Sequence, residues 1–545
     1  QYSRSKLNAD LEALRSFYLA RGFLDFKIDS TQVAMSPDKE SIGITVNVTE
    51  GERFVVSSVA LEGNFLDRED EFKSLVTIKP GEPYNADQVA ETTKAFTDHF
   101  GNYGYAFASV EAVPDVDRAE NRVAITLRAQ PARRVYVRRI NVHGNTRTRD
   151  EVIRREFRQF ESSWYDAEKI RLSRDRVDRL GYFTELSIST AEVAGAPDQV
   201  DLDVEVKEKP TGNISIGAGY SSAEKLSFTF GLSQDNVFGS GNQLDLQLNT
   251  GKYNRTVVVS ATDPYFTVNG VSRTVDVYYR TQKPYEDQGG NYTLVTMGAG
   301  LKFGLPVSEL DTVYVGLNAE RTRIKPGTNI PAAYLAYAER FGYTSDALPL
   351  TLGWSRDSRD SALAPNSGRY QRLMGELGLL GDARYVKGSY QYQQYIPLSK
   401  QYTLAFNGEL GWGKGLGGRP FPVFKNFYSG GLGSVRGYDQ NTLGPRDVTG
   451  AFIGGTRKVT FNTEFITPFP GAGNDRTLRL FGFFDAGGLY GENDKISGSG
   501  LRYSTGVGLS WISPLGPLRF AYAVPLRKRP GDRIQRFQFQ IGTSF

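Results

Sequence analysis

From about residue 211 onward, apolar and polar positions alternate with a period of two, and the spacing of an amphipathic helix almost disappears. In NISIGAGY (213–220), Ile214, Ile216, Ala218 and Tyr220 share a face. In LDLQLNT (244–250), Leu244, Leu246 and Leu248 lie opposite Asp245, Gln247 and Asn249. DTVYVGLNAE (311–320) repeats the pattern with Val313, Val315, Leu317 and Ala319. Turns rich in Gly, Asn, Asp and Pro separate such segments, and aromatics gather near their ends. One apolar face, one polar face and aromatic margins predict a lipid-facing barrel wall around a wet lumen. A soluble sandwich array or a propeller is the competing reading, but no blade-like period is present and the run exceeds ordinary sandwich size. At roughly 20 residues per strand and turn the region holds about 16 strands, and a single bacterial chain favours an even number. Lipid tolerates no open sheet edge, so most of the barrel must close.

The first 210 residues follow another rule. A helical stretch runs into RGF (21–23), YGY (103–105) and LGY (180–182), a period of about 80 residues that indicates small domains in tandem. Each of these glycines reads as a helix C-cap, with the aromatic after it (Phe23, Tyr105 or Tyr182) in a core. Strand-like pieces follow, among them ITVNV (44–48), VAITL (123–127) and VDLDVEV (200–206), and two copies open alike, with VSSVALEGN (56–64) and VRRINVHGN (137–145). Asn85 and Asp166 stand where helices after PGEPY and SSWY need caps. The predicted order per unit is strand, helix, helix, strand, strand, with two complete units and the tail of an earlier one. Small mixed domains with exposed sheet edges suit partner binding by strand addition. The chain opens QYSRSKLNADLEALRSFYLARG, which reads as the middle of a helical unit with no signal-peptide pattern, as in a processed or shortened chain.

Composition narrows the chemistry. Cysteine is absent, which excludes disulfides, zinc–thiolate sites and thiol nucleophiles. The two histidines, His99 and His143, both precede the alternating region, so neither a histidine metal cluster nor a Ser–His pair on the barrel wall is expected. A net charge of +4 over 545 residues gives no reason to expect a nucleic-acid partner. No apolar run reaches the roughly 18–20 residues of a transmembrane helix, which leaves a strand-built membrane protein open.

Two segments carry acids where the alternation otherwise wants neutral side chains. In TFNTEFI (460–466), Phe461, Thr463 and Phe465 face one way and Asn462 and Glu464 the other. In TLRLFGFFDAGG (477–488), Arg479, Phe481, Phe483 and Asp485 oppose Leu478, Leu480, Gly482 and Phe484. Period two therefore places Glu464 and Asp485 in the lumen. Upstream, GGLGSVRGYDQNTLGP (430–445) puts Arg436 among glycines that let a backbone turn and approach a wall closely. On the pattern alone, Arg436 either pairs with one or both carboxylates or is a solvated loop charge. In RFQFQIGTSF (536–545), Phe537, Phe539, Ile541, Thr543 and Phe545 oppose Gln538, Gln540 and Ser544, the pattern of a closing strand.

The whole chain resembles the BamA family, the central subunits of the bacterial outer-membrane β-barrel assembly machinery. That family sits in a superfamily with two-partner secretion translocators and the mitochondrial sorting barrel. VRGY (435–438) resembles the family's signature on an inward-folded sixth extracellular loop, here about 419–457; QDNVFGSG (234–241), DPYF (263–266), WISPLGPLRFAYA (511–523) and FQFQIGTSF (537–545) resemble its strand junctions and closing strands. The resemblance implies the end of a third polypeptide-transport-associated (POTRA) domain over 1–51, a fourth over 52–134, a fifth over 135–210, and a 16-stranded antiparallel transmembrane β-barrel over 211–545. It also implies that Val435, Arg436, Gly437 and Tyr438 anchor the loop, with Glu464 and Asp485 as wall partners of Arg436. One departure is visible: after NTLGPRDV the loop returns to the barrel within about ten residues, where some relatives are expected to make a longer, cysteine-bearing excursion.

The implied function is non-enzymatic, with no catalytic residue, metal or cofactor: folding and insertion of nascent β-barrel proteins into the bacterial outer membrane, with the POTRA domains in the periplasm. The expected partners are unfolded barrel clients, accessory lipoproteins and the lipid bilayer. Gly212, Gly217 and Gly219 weaken a first strand at about 212–220. Its partner is a last strand at about 534–545, bearing Phe537, Phe539, Ile541 and Phe545. The resemblance makes this junction a lateral seam at which client strands pair. The alternative is a translocator of the two-partner-secretion type, which shares VRGY and the barrel but usually carries two such domains and a plug helix.

Overall fold

The computed structural model describes residues 3–35, 42–308, 310–361, 364–399, 401–471, 477–513 and 516–542. The chain divides into two compact units, Gln1–Pro210 and Thr211–Phe545.

In the first unit, two copies of one motif follow a partial one. The middle copy runs strand Val55–Gly63, helices Glu69–Ser74 and Ala86–Asn102, then strands Ser109–Asp117 and Arg122–Gln130. The next copy runs strand Tyr136–His143, helices Asp150–Arg154 and Ala167–Arg179, then strands Phe183–Val193 and Ala196–Glu208. In both, the last strand is central, parallel to the first and antiparallel to the second. A central strand must bury one face, and Val123, Ile125, Leu127 and Ala129, like Val200, Leu202, Val204 and Val206, do so at every second position. Thr92, Phe96 and Phe100 recur at four-residue spacing on the longer helix and close the core with Phe72.

The helix ends follow local chemistry. Asn85 accepts from the amides of Asp87 and Gln88 at 2.9 and 3.3 Å, and Asp166 from that of Lys169 at 3.1 Å. Gly22, Gly104 and Gly181 follow helix ends with positive φ. Of the aromatics after them only Tyr182 is buried; Phe23 and Tyr105 are half-buried, because each sits at the rim where the chain leaves the helix. The partial copy pairs helix Arg4–Leu19 with a hairpin of Lys27–Met35 and Ile42–Thr49.

The second unit is a closed antiparallel barrel of sixteen strands. Strand one is Gly212–Ser221, strand two Lys225–Gln234, strand twelve Arg457–Pro468, strand thirteen Leu478–Tyr490, strand fifteen Gly516–Pro525 and strand sixteen Phe537–Ile541. The apolar set of each strand faces outward: Ile214, Ile216, Leu244, Val257, Val259, Leu317, Leu350 and Leu352 are all exposed. In water a continuous belt of this kind is an aggregation hazard; in hydrocarbon it is solvated.

The ladder is uneven. Strand one makes ten residue pairs with strand two, strand fifteen makes five with strand sixteen, and strand sixteen makes two with strand one among the described residues. The expected single strand over 534–545 is instead divided. Ile534–Gln535 turn inward and pair with Gly437–Tyr438, and only Phe537–Ile541 join the wall.

Replacing Asn85 by Ala removes the acceptor for two helix-start amides and should lower the stability of its domain by about 1 kcal/mol, whereas Asn85→Asp should be near neutral. Urea unfolding followed by circular dichroism checks both.

Candidate functional site

The segment between strand eleven (Thr403–Gly415) and strand twelve folds into the lumen and delivers Arg436 to the wall. The Arg436 side chain is 2% exposed. Its Nε donates to Asp485 Oδ2 at 2.7 Å and a terminal nitrogen to Asp485 Oδ1 at 2.6 Å, a bidentate fork. Its other terminal nitrogen reaches Glu464 Oε1 at 2.5 Å, and its own backbone N–H donates to Asp485 Oδ2 at 3.0 Å. The Asn462 amide donates to Asp485 Oδ1 at 2.9 Å and to the Ser434 carbonyl at 2.6 Å. Arg519, on strand fifteen, shares Glu464 Oε1 at 2.5 Å, and the ring of Phe483 lies 3.7 Å from the Arg436 guanidinium carbon. Two carboxylates thus face two guanidinium groups, and both oxygens of the buried Asp485 are occupied. Buried ions that are paired and hydrogen-bonded this fully hold a geometry; losing one partner strands the others in low dielectric. An arginine stays protonated, so the cluster is a fixed-charge anchor rather than an acid–base device.

Val435 and Tyr438 are fully buried beside it. Val435 occupies the space that a side chain at Gly487 would need, 2.4 Å from the position of its Cβ. Gly437 has φ +89°, and a Cβ there would stand 3.0 Å from the Cβ of Ala523 on strand fifteen. A side chain at 437 would therefore be strained in backbone and crowded at once. The Tyr438 hydroxyl donates to the carbonyl of Arg527 at 2.5 Å.

A second anchor holds the same loop on another part of the wall, and the residue pattern did not disclose it. Lys425 Nζ lies 2.8 Å from Glu320 on strand seven (Asp311–Pro326) and 2.8 Å from Glu376 on strand nine (Gly368–Gly381). Tyr278 donates to Glu320 at 2.9 Å, and Tyr385 donates to Glu376. Alternation places both carboxylates inward, a signal available in the sequence. Nothing local marks the lysine of PFPVFKNF, because a cation in an irregular loop has no face to be read from. Helix Ala332–Phe341 caps this side, with Tyr334 Oη 3.0 Å from Tyr428 Oη.

At the junction of strands one and sixteen, Ile541 pairs with Tyr220 and Gln540 with Ser221. The Ser222 amide donates to the Phe539 carbonyl at 3.0 Å, and the rings of Phe539 and Tyr220 stack with centroids 5.8 Å apart. Of the predicted seam residues, Gly219 lies beside this contact, where a Cβ at Gly542 would already be 2.4 Å from the Ala218 carbonyl. Gly212 and Gly217 do not join it: their ladder partners are Gln234 and Thr229 on strand two, because the described pairing begins only at Tyr220. Phe537 pairs with Tyr522 on strand fifteen, and Phe545 lies outside the described residues. Among the described residues no group of His, Cys, Asp or Glu has the arrangement to hold a metal ion.

Residues 236–545 match the Omp85 superfamily domain, and 1–51, 54–131 and 135–209 match the POTRA model, described as a surface antigen variable number repeat. The outer membrane protein assembly factor BamA of Neisseria meningitidis serogroup B is 37% identical over all of this chain and 74% of its own length. BamA of Nitratidesulfovibrio vulgaris is 30% identical over 99% of this chain and 68% of its own length. The crystal structure of BamA from Haemophilus ducreyi lacking POTRA domains 1–3 superposes with a TM-score of 0.73 at 28% identity, covering 90% of this chain and all of that one.

Arg436→Ala should destabilise the barrel by about 3–5 kcal/mol, since it leaves Asp485 and Glu464 buried without their shared partner. Arg436→Lys should recover only part, because an ammonium cannot make the fork. The urea midpoint for loss of the compact, heat-modifiable band on gels reads both. Lys425→Met should lower the same midpoint by leaving Glu320 and Glu376 facing each other.

Proposed function

This chain belongs to the Omp85 superfamily and, within it, to the BamA family of outer membrane protein assembly factors, and we propose that its clients enter at the seam between strands one and sixteen. It resides in the outer membrane, with its POTRA repeats in the periplasm as in BamA. The observation that carries the reading is the ladder between the terminal strands, two pairs among the described residues, set against ten between strands one and two.

A nascent barrel strand in a bilayer has backbone N–H and C=O groups that only another strand can satisfy. If strand sixteen parts from strand one at the Tyr220–Ile541 and Ser221–Gln540 pairs, the freed edge of strand one can template such a strand by β-augmentation. The work comes from the client's own backbone pairing and apolar burial, so the activity is a non-enzymatic one and draws on no nucleotide or proton site. Glycines at 212, 217 and 219 leave this edge little side-chain packing to displace. The anchored loop keeps strands twelve to fifteen in place while the seam works. The POTRA repeats receive clients and dock accessory lipoproteins of the assembly complex, offering sheet edges for strand addition. The three POTRA matches and the chain-long similarity to assembly factors favour this over polypeptide translocation through the lumen.

In lipid vesicles, barrel clients should fold into the bilayer faster with this protein than in empty lipid. The chain has no cysteine of its own, so Tyr220→Cys with Ile541→Cys forms one defined disulfide across the seam. Complete oxidation of that pair should abolish the acceleration and reduction should restore it. Full acceleration by the oxidised protein would rule out entry at the seam.

A further inference from the structure

Besides its pairing with strands fifteen and one, strand sixteen is held by the loop inside the barrel. The Gln538 side chain, 1% exposed, lies inward from that strand between loop and wall. Its Oε1 accepts the Gly437 N–H at 3.1 Å and its Nε2 donates to the Tyr438 carbonyl at 2.7 Å. The amide therefore pairs with two successive backbone groups of the loop as a neighbouring strand would. Immediately before it, Ile534 and Gln535 pair with Tyr438 and Gly437, and the Asp439 amide donates to the Arg533 carbonyl at 3.1 Å. The residue next to Gly437 is Arg436, fixed to strands twelve and thirteen through Glu464 and Asp485. The route from the buried ion cluster to the closing strand is thus one peptide unit and one side-chain amide.

We propose that Gln538 is a positioning residue: a latch by which the Arg436 anchor sets the place of strand sixteen and keeps its junction with strand one shut. The proposal rests on the reading of the strand one–sixteen junction as the entry seam. Gln538 ties strand sixteen to the loop from the lumen side, so the closed population of that junction depends on this hold as well as on its own pairing. Within strands fifteen and sixteen Gln538 is opposite Ala521, a small fully buried residue that leaves room for the amide to turn toward the loop. Gln540, the next inward side chain, donates to the Gly542 carbonyl at 3.5 Å.

The test is hydrogen exchange of the full chain in lipid nanodiscs without client. Gln538→Met keeps length and volume and removes both hydrogen bonds; Gln538→Asn keeps both functions on a side chain one methylene too short. In either variant, exchange of amides in 218–222 and 537–541 should accelerate about tenfold, the effect of two lost hydrogen bonds on an opening equilibrium. Amides of 244–250, on the far side of strand two, should exchange as in the parent. Seam exchange unchanged in whichever variant folds, or accelerated equally in 244–250, overturns the latch. Because no client is present, that failure leaves the seam-entry reading standing, whereas insertion through a fully oxidised Tyr220→Cys/Ile541→Cys seam defeats the entry reading and leaves the exchange result intact.

Discussion

In a hydrocarbon layer a strand edge can satisfy its N–H and C=O groups only with another strand, and this constraint organises the whole second unit. It forces sixteen strands into closure and turns their apolar sets outward. It also makes the length of each ladder a measure of how firmly that part of the wall is held. Among the described residues the ladder is shortest where strand sixteen meets strand one, with two residue pairs. On the proposed function, a short ladder in a wall that must otherwise close is where an outside strand would be accepted.

The lumen supplies further support. Two cations of the inward-folded loop meet the wall, Lys425 against Glu320 and Glu376 and Arg436 against Glu464 and Asp485. Placing charges in a dry interior is costly unless each is paired and its hydrogen bonds are filled. Neutral neighbours help both clusters toward that condition: Tyr278 and Tyr385 at the lysine site, Asn462 and the Arg436 backbone at the arginine site. The reward is specificity of position. Apolar packing can slide, whereas a bidentate guanidinium on a carboxylate has one register.

The glycines of the VRGY region serve the same end. At Gly437 the positive φ and the lack of a Cβ, which would stand 3.0 Å from that of Ala523, let the loop lie directly against strand fifteen, close enough for Gln538 of the neighbouring strand to pair with its backbone. Anchor, loop and closing strand are therefore joined by one continuous set of contacts.

Much of this was legible in the residue pattern. Period-two alternation is a property of each strand alone, so it placed Ile214, Leu244 and Val315 outward and Glu464, Asp485 and Gln538 inward without any knowledge of neighbours. Helix caps are equally local, and Asn85 and Asp166 act where the sequence puts them. The pairing of Arg436 needed more than the pattern: alternation supplied two candidate carboxylates, and family resemblance chose between contact and a solvated charge. Lys425 had no such pattern around it, and its partners lie 105 and 49 residues away. Nor could alternation disclose that Ile534 and Gln535 leave the last strand, that Ile541 takes its register opposite Tyr220, or that the Gln538 amide is claimed by the loop. Sequence by itself determined which way each side chain faces, because that depends on the strand's own geometry. Only the tertiary structure decided what each one meets, because register and loop path are settled by contacts between segments far apart in the chain.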